Sequence, residues 1–250
     1  MKRIVLPGIL VCGLIIASFT IRSKNKMHPA AGNGFAVVEL FTSEGCSSCP
    51  PADKAVANLL TEYPDNVYVL GFHVDYWDYI GWKDAYSSHA YSNRQQQYGS
   101  KLGLSSIYTP QAIVNGTSEF TGSDTKQLKT RVEDGLGINS TAPVSITAQS
   151  TDGKTVTVNY TLQKSLPGVI NIALVQLHAQ SNVQRGENSG KLLQHVNVVR
   201  DFKTLPAKQP AGAISLTLPA GLTVKDCMII AYTQDDSSWK ITGAASANIQ

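Results

Sequence analysis

Two cysteines separated by two serines are the residues of this chain whose types and spacing could do chemistry. Cys46 and Cys49 form C-S-S-C, after a β-branched run at residues 36–41 and before a segment at residues 51–63 with apolar residues at helical spacing. A cysteine at the start of a helix meets unpaired N–H groups and the positive end of the helix dipole, which favour the thiolate. We therefore predict a redox pair in which Cys46 attacks from the exposed edge and Cys49, one turn further in, resolves the mixed disulfide.

The same spacing allows two other interpretations. A C-x-x-C sequence can be half of a zinc site, but Cys227 is the one further thiol outside the first 26 residues, and no second CxxC or HxxxH pair completes four ligands. The pair can also be a static disulfide, which is common in exported proteins. The static disulfide is therefore the main alternative to a redox pair.

The N-terminal segment has the pattern of an export signal. Lys2 and Arg3 precede an apolar run at residues 4–21, as in a secretory signal peptide. No clear A-x-A cleavage site follows, and a run of 18 residues is just long enough to span a bilayer. We expect residues 1–26 to be a signal peptide or an N-terminal membrane anchor, residues 27–34 to be a linker, and the protein to be periplasmic or secreted.

The charge balance argues against a nucleic-acid-binding protein. Five of the 21 basic residues lie in the first 26 positions, so the rest of the chain has 16 basic residues against 18 acidic ones. A protein that binds DNA or RNA needs a basic surface to meet the phosphates. The hydrophobic content of 42% is that of a folded protein rather than a disordered one.

Strand-like and helix-like segments alternate around the cysteines. A second strand is predicted at residues 66–74 and a third at residues 111–116. A helix is predicted at residues 124–137, with Asp124 as its N-cap. Together with the strand and helix that flank the cysteines, this order predicts a mixed α/β sheet over residues 35–138.

From residue 140 to residue 250 the pattern is strand-like throughout. Short apolar, β-branched segments are separated by turn sequences such as TDGK, SLPG and RGENSG. Strands at short intervals with turn signals between them are typical of an all-β sandwich. We therefore expect two domains, an α/β domain at residues 35–138 and a β-sandwich domain at residues 140–250.

The order of elements in the first of these domains resembles the thioredoxin superfamily. Strand, CxxC, helix, strand, a long segment, Tyr108-Thr109-Pro110, strand and helix follow one another over residues 35–137. The motifs FTSEGCSSCPPAD, DYWDYIGWKD, YTPQAIVNG and RGENSGKLLQHVNVVR are similar to those of an uncharacterised family of exported bacterial thioredoxin-fold proteins. The resemblance implies that the α/β domain is thioredoxin-like, and the all-β domain predicted from the strand pattern follows it.

The resemblance also implies supporting roles for three residues. Pro110 matches the cis-proline that faces the active disulfide of thioredoxins and presents a backbone edge to the substrate, and Thr109 matches the residue before it. Glu39 stands close to where thioredoxins keep a buried acid that helps to deprotonate the second cysteine. The two serines between the cysteines depart from the Gly-Pro of thioredoxins, so no redox potential is implied.

Aromatic residues and histidines after the second strand suggest further roles. Trp77 and Trp82 belong to an aromatic cluster that forms either a local core or an apolar wall beside the cysteines, and we take them as candidate substrate-binding residues. His73 and His89, with two thiolates, would suit copper(I), although histidines that bind no metal are much commoner.

The sequence as a whole favours a thiol–disulfide oxidoreductase that acts on protein or peptide thiols and disulfides. This function needs no cofactor, no bound metal and no nucleic acid. Two alternatives stay open: a binding or scaffold protein in which the CxxC is a structural disulfide, and a copper-handling protein.

Overall fold

β-strands dominate the part of the chain that the computed structural model describes, which is Met1 and residues 34–250. In this part, 43% of the structure is strand and 21% is helix. The predicted leader at residues 1–26 lies outside the described residues except for Met1, and the predicted linker lies outside them except for its last residue. None of the described helices is long and apolar enough to cross a membrane.

Three α-helices and eleven strands make up the described structure. The helices are α1 (Pro50–Glu62), α2 (His89–Leu102) and α3 (Thr125–Leu136). The strands are β1 (Ala36–Thr42), β2 (Val67–His73), β3 (Gln111–Val114), β4 (Ser118–Thr121), β5 (Val144–Gln149), β6 (Thr155–Leu162), β7 (Gly168–Asn182), β8 (Leu192–Pro206), β9 (Ala211–Thr217), β10 (Cys227–Asp235) and β11 (Ile241–Asn248).

The larger of two sheets contains strands from both halves of the chain. Its eight strands have the order β11-β10-β7-β8-β2-β1-β3-β4, and the smaller sheet has the order β5-β6-β9. β1 pairs in parallel with β2 and antiparallel with β3. β8 lies at the other side of β2, where Val198 pairs in parallel with Gly71. The C-terminal strands therefore continue the sheet that carries the cysteines.

β7 shows why the large sheet continues across the predicted boundary. Ile170, Ile172 and Leu174 point into the apolar cluster shared with β5, β6 and β9. Ala173 and Val175, which alternate with Ile172 and Leu174, belong to the cluster around β1 and β2. A strand covered on both faces is apolar at successive positions, unlike a sandwich strand with one face in water. The sequence VINIALV is such a run except for Asn171, whose buried side chain is hydrogen-bonded to Gln234 and Thr204.

The predicted fold class is therefore wrong. We expected an α/β thioredoxin-like domain followed by a β-sandwich, but β7, β8, β10 and β11 extend the first sheet and only β5, β6 and β9 form a second one. Residues 34–250 all fall within one compact unit. Strand periodicity reports which residues are buried and not which strand lies alongside, so it could not reveal this pairing.

The topology brings the cysteines and the aromatic segment to the same edge of the sheet. The parallel strands β1 and β2 end side by side at Thr42 and His73, which are register partners. The chain after β1 forms the disulfide loop, residues 43–49, and the chain after β2 carries Trp77 and Trp82. Segments that follow adjacent parallel strands meet at the carboxyl edge of a sheet, where α/β proteins place their ligand sites.

Candidate functional site

The two cysteines are joined in a disulfide at the start of α1. The Cα atoms of Cys46 and Cys49 are 5.4 Å apart, a separation typical of disulfides. Cys49 is the N-cap residue of α1. Cys46 is only 1% exposed and Cys49 is fully buried, so the expectation that Cys46 lies at an exposed edge is wrong. Another part of the chain must cover the disulfide.

The segment between β7 and β8, residues 183–191, which we call the cover loop, is hydrogen-bonded to the disulfide loop. The side-chain amide of Asn188, fully buried, donates hydrogen bonds of 2.9 Å to the main-chain carbonyls of both Glu44 and Cys46. The carboxylate of Glu187 accepts a hydrogen bond of 3.0 Å from the main-chain N–H of Ser47. The cover loop therefore binds the disulfide loop on both sides of Cys46.

Thr109 and Pro110 lie on another side of the disulfide loop. The peptide bond between them is cis. The hydroxyl of Ser48, between the cysteines, lies 3.5 Å from the carbonyl oxygen of Thr109 as a hydrogen-bond donor. The indole N–H of Trp77 donates a hydrogen bond of 2.8 Å to the hydroxyl of Thr109. The predicted residues Thr109, Pro110 and Trp77 are thus grouped beside the cysteines.

A family model described as "Protein of unknown function (DUF1223)" matches residues 37–234, which include the disulfide loop, the aromatic segment and the cover loop. The chain belongs to the DUF1223 family. A crystal structure of an Agrobacterium tumefaciens protein, solved by a structural genomics consortium, is similar at 30% sequence identity. The match covers 86% of this chain and 94% of that one, with a TM-score of 0.62. No curated protein matches the chain.

Close packing between Trp77 and the disulfide loop depends on a glycine in this DUF1223 protein. A Cβ atom at Gly45 would lie 2.9 Å from Cβ of Trp77 and 3.1 Å from Cδ1 of Ile80. The indole N–H of Trp82 donates a hydrogen bond of 2.7 Å to the Glu44 carboxylate. Both indoles are half-buried, so each presents part of its surface beside the disulfide loop. Their role in substrate binding stays a prediction.

Glu39, the predicted proton acceptor, is engaged by a buried ion pair. Arg94 donates two hydrogen bonds to its carboxylate, of 2.6 and 2.8 Å, and the hydroxyls of Tyr98 and Tyr232 donate two more. Burial lowers the pKa of Arg94, but the charge of Glu39 outweighs burial and the pKa is raised well above its ordinary value. These four hydrogen bonds hold Glu39 as a structural charge in the core.

A buried histidine between two carboxylates adjoins the disulfide loop, and sequence reasoning missed it. Nε2 of His195 lies 3.6 Å from Glu44 Oε1, and Nδ1 lies 3.5 Å from Asp53 Oδ2. All three residues are buried. Glu44 precedes Cys46 by two residues and Asp53 follows Cys49 by four, so His195 contacts the chain on both sides of the disulfide.

A second buried histidine packs against the first. Nδ1 of His73 lies 2.7 Å from Asp84 Oδ2, and the ring of His73 meets the ring of His195 edge-on at 4.7 Å. Burial alone raises the pKa of Asp84, but the charge and hydrogen bond of His73 outweigh it and lower the pKa. The two histidines and their carboxylates, Glu44, Asp53 and Asp84, form one buried cluster. Four buried side-chain atoms of the described residues lack a hydrogen-bond partner, and all belong to this cluster: Glu44 Oε1, His73 Nε2, and Nδ1 and Nε2 of His195.

The cluster does not form a metal site. Within residues 34–250, no three His, Cys, Asp or Glu side chains are arranged to hold a metal ion. His89, the other histidine of the copper alternative, has a side chain 75% exposed that pairs with Asp75 at 3.1 Å. Cys227 is buried in β10, where burial raises the pKa of its thiol to about 11. The described residues give the copper alternative no support.

We expect the folded protein to lose stability as the pH rises from about 6.5 to about 10. Burial lowers the pKa of His195, but the contacts and charges of Asp53 and Glu44 outweigh burial and raise it to about 10. The folded state therefore holds this proton more tightly than the unfolded chain, in which the pKa of histidine is about 6.5. The stability that this proton contributes is complete below the unfolded-state pKa of about 6.5. It is lost as the pH rises through the folded-state pKa of about 10.

Urea unfolding at intervals across this pH range measures the effect. The control is His89→Gln, which removes an exposed imidazole and is expected to leave the pH dependence unchanged. A free energy of unfolding that stays constant or increases between pH 6.5 and pH 10 would contradict the proton binding that we assign to His195.

A groove opens next to the start of α1. Its volume is about 940 Å³. Pro50 and Lys54 line it from α1, and His178 and Leu192 line it from β7 and β8, with His195 between them. A concave surface of this size can hold a segment of another polypeptide.

Proposed function

We propose that this protein is an exported thiol–disulfide oxidoreductase that acts on cysteines of other proteins through Cys46 and Cys49. The observation that carries the proposal is the placement of the pair. A disulfide with two intervening residues stands at the N-terminal end of α1, with Thr109, Trp77 and Trp82 grouped around its loop. The helix dipole at that end favours a thiolate on the first cysteine.

The chemistry is an exchange in which the client is the redox partner. A client thiolate attacks Sγ of Cys46, a bond forms between these two sulfurs, and Cys49 leaves as a thiolate that takes up a proton. A second client thiolate then attacks the client sulfur of the mixed disulfide and releases Cys46. The client loses two electrons to the Cys46–Cys49 pair, and the reverse sequence reduces a client disulfide.

A trapping experiment tests the proposal. Cys49→Ala removes the resolving thiol, so mixed disulfides between Cys46 and client proteins should accumulate after expression in the exporting cell. Cys46→Ala is the matched control and should give no such adducts, because the attacking thiol is absent. Non-reducing electrophoresis followed by mass spectrometry identifies the adducts and the cysteine that carries them.

The structural-disulfide alternative is favoured by the near-complete burial of both cysteines. It makes a different prediction for the reduced protein. If neither thiol reacted with iodoacetamide near neutral pH while the fold stayed intact, the disulfide would be structural and the proposed function would be wrong. If Cys49 were alkylated faster than Cys46, their roles would be reversed.

A further inference from the structure

We propose that the cover loop is a displaceable cover over the disulfide, and that Glu187 occupies at the Ser47 amide the place that a main-chain carbonyl of a polypeptide client takes. A client would thus reach Cys46 by replacing Glu187 as the acceptor of the Ser47 N–H. This inference rests on the proposed function, since it names how the client of that same site is recognised.

The first step is that the disulfide is closed to solvent in the resting structure. Cys46 and Cys49 are 1% and 0% exposed, although the serines between them are exposed. Thiol–disulfide exchange requires the attacking sulfur to approach Cys46 along the line of the existing S–S bond. Some covering group must therefore move before a client thiolate can react.

The cover loop is the covering group that is built to move. Only Val183 and Asn188 of residues 183–191 are buried. Gly186 and Gly190 have φ of +77° and +79°, a backbone conformation that glycine adopts without strain. A segment with few buried side chains opens at a small fraction of the cost of global unfolding.

Three hydrogen bonds hold the cover loop on the disulfide loop. Asn188 donates two of them to the carbonyls of Glu44 and Cys46. The Lys191 ammonium donates a hydrogen bond of 2.9 Å to the side-chain oxygen of Asn188 and so holds this side chain in place. The third is the bond from the Ser47 N–H to Glu187. The contacts with the disulfide loop are polar, so a client that supplies hydrogen-bonding groups can replace them.

Glu187 is the part of the cover that resembles a client. Its carboxylate oxygen accepts from the main-chain N–H next to Cys46, and an extended client chain would offer a carbonyl oxygen there in the same acceptor role. The donated hydrogen bonds from Ser47 lower the pKa of the Glu187 carboxyl. An ionised Glu187 also places a negative charge at the amide of the residue that follows Cys46, the residue that a client thiolate must approach.

The test compares two thiols on the oxidised protein. One is a neutral blocked peptide with alanine on each side of cysteine, which carries main-chain carbonyls. The other is 2-mercaptoethanol, which carries none. The rate of Cys46–Cys49 reduction by each thiol, divided by its thiolate concentration, is followed by acid quenching, alkylation and mass spectrometry. Because Glu187 is exposed, its substitution should not disturb folding.

The variants separate the cover from the place that Glu187 occupies. Asn188→Ala is expected to raise both rates about tenfold, the effect of losing roughly one net hydrogen bond. Glu187→Gln removes the charge and keeps an acceptor, so both rates should rise by the same factor. Glu187→Ala leaves the acceptor position at the Ser47 N–H empty. The rate of reduction by the peptide should therefore increase about threefold more than the rate of reduction by 2-mercaptoethanol. Glu62→Gln removes the same charge at the far end of α1, about 18 Å along the helix, and should change neither rate.

Each other outcome overturns the proposal. Unchanged rates in Asn188→Ala would show that residues 183–191 are not the cover. Equal gains for the two thiols in Glu187→Ala would show that Glu187 does not hold a carbonyl position. These rates are measured with small thiols, so they stand apart from the trapping of clients by Cys49→Ala, whose failure would overturn the proposed function instead.

Discussion

Replacing Glu39 by glutamine is expected to destabilise the protein by about 3–5 kcal/mol. The substitution removes the charge that compensates Arg94, whose side chain is 8% exposed, and leaves a cation buried among aromatic rings. The loss of the charge on residue 39 also weakens the hydrogen bonds that Tyr98 and Tyr232 donate to the Glu39 carboxylate. Urea unfolding near pH 7, followed by circular dichroism, measures the change in the free energy of unfolding.

The matched control is an ion pair of the same chemistry at the surface. Arg131 and Asp134 form a pair at 3.2 Å, with side chains 47% and 56% exposed. Asp134→Asn should therefore cost less than about 1 kcal/mol, since exposed pairs contribute little. A loss in Glu39→Gln no larger than in Asp134→Asn would mean that the core tolerates the uncompensated arginine, and would contradict the structural role that we assign to Glu39.

The position of the CxxC at the start of a helix could be predicted from the sequence because its signals are local. The CxxC and the helical spacing after it are adjacent in the chain, and α1 at Pro50–Glu62 lies within one residue of the predicted segment 51–63 at each end. The N-cap of α3 is likewise a local signal. Asp124 accepts a hydrogen bond from the Gln127 N–H at 3.0 Å, which confirms the prediction.

The cover loop and His195 could not be predicted to lie beside the disulfide, because they come from distant parts of the chain. The Ser47–Glu187 and Cys46–Asn188 hydrogen bonds join residues 140 and 142 positions apart. The one available signal was the alternation in LLQHVNV, which places His195 in phase with the buried Leu193. A histidine at an inward position of a strand must find partners, but its sequence neighbours do not say which.

The wrong prediction of the fold class and the failure to predict His195 and the cover loop at the site have the same physical origin. β8 pairs with β2 through Val198 and Gly71, and its His195 lies against His73, the last residue of β2. If residues 140–250 formed a detached sandwich, neither His195 nor the cover loop would reach the disulfide. The pairing that overturns the predicted architecture is therefore also what completes the candidate site, and both depend on long-range register that local patterns do not encode.

Replacing His195 by glutamine is expected to cost about 3 kcal/mol or more near pH 7. At this pH the imidazole carries a proton between Glu44 and Asp53, because its pKa is raised to about 10. Glutamine fills similar space but carries no charge, so two buried carboxylates lose the cation between them. The free energy of unfolding in urea, compared between wild type and variant at pH 7 and at pH 9.5, measures this cost.

The origin of this cost determines how it should change with pH and with a second substitution. The deficit should shrink from pH 7 to pH 9.5, because wild-type His195 also begins to lose its proton as the pH nears 10. Adding Glu44→Gln to His195→Gln should restore part of the stability, since it removes one of the two carboxylates that the cation compensates. Residues in contact couple by about 0.5–3 kcal/mol in such double-mutant cycles. A deficit that is equal at both pH values, together with strictly additive losses, would mean that His195 acts through packing alone. In that case His195 would carry no positive charge between Glu44 and Asp53 at pH 7.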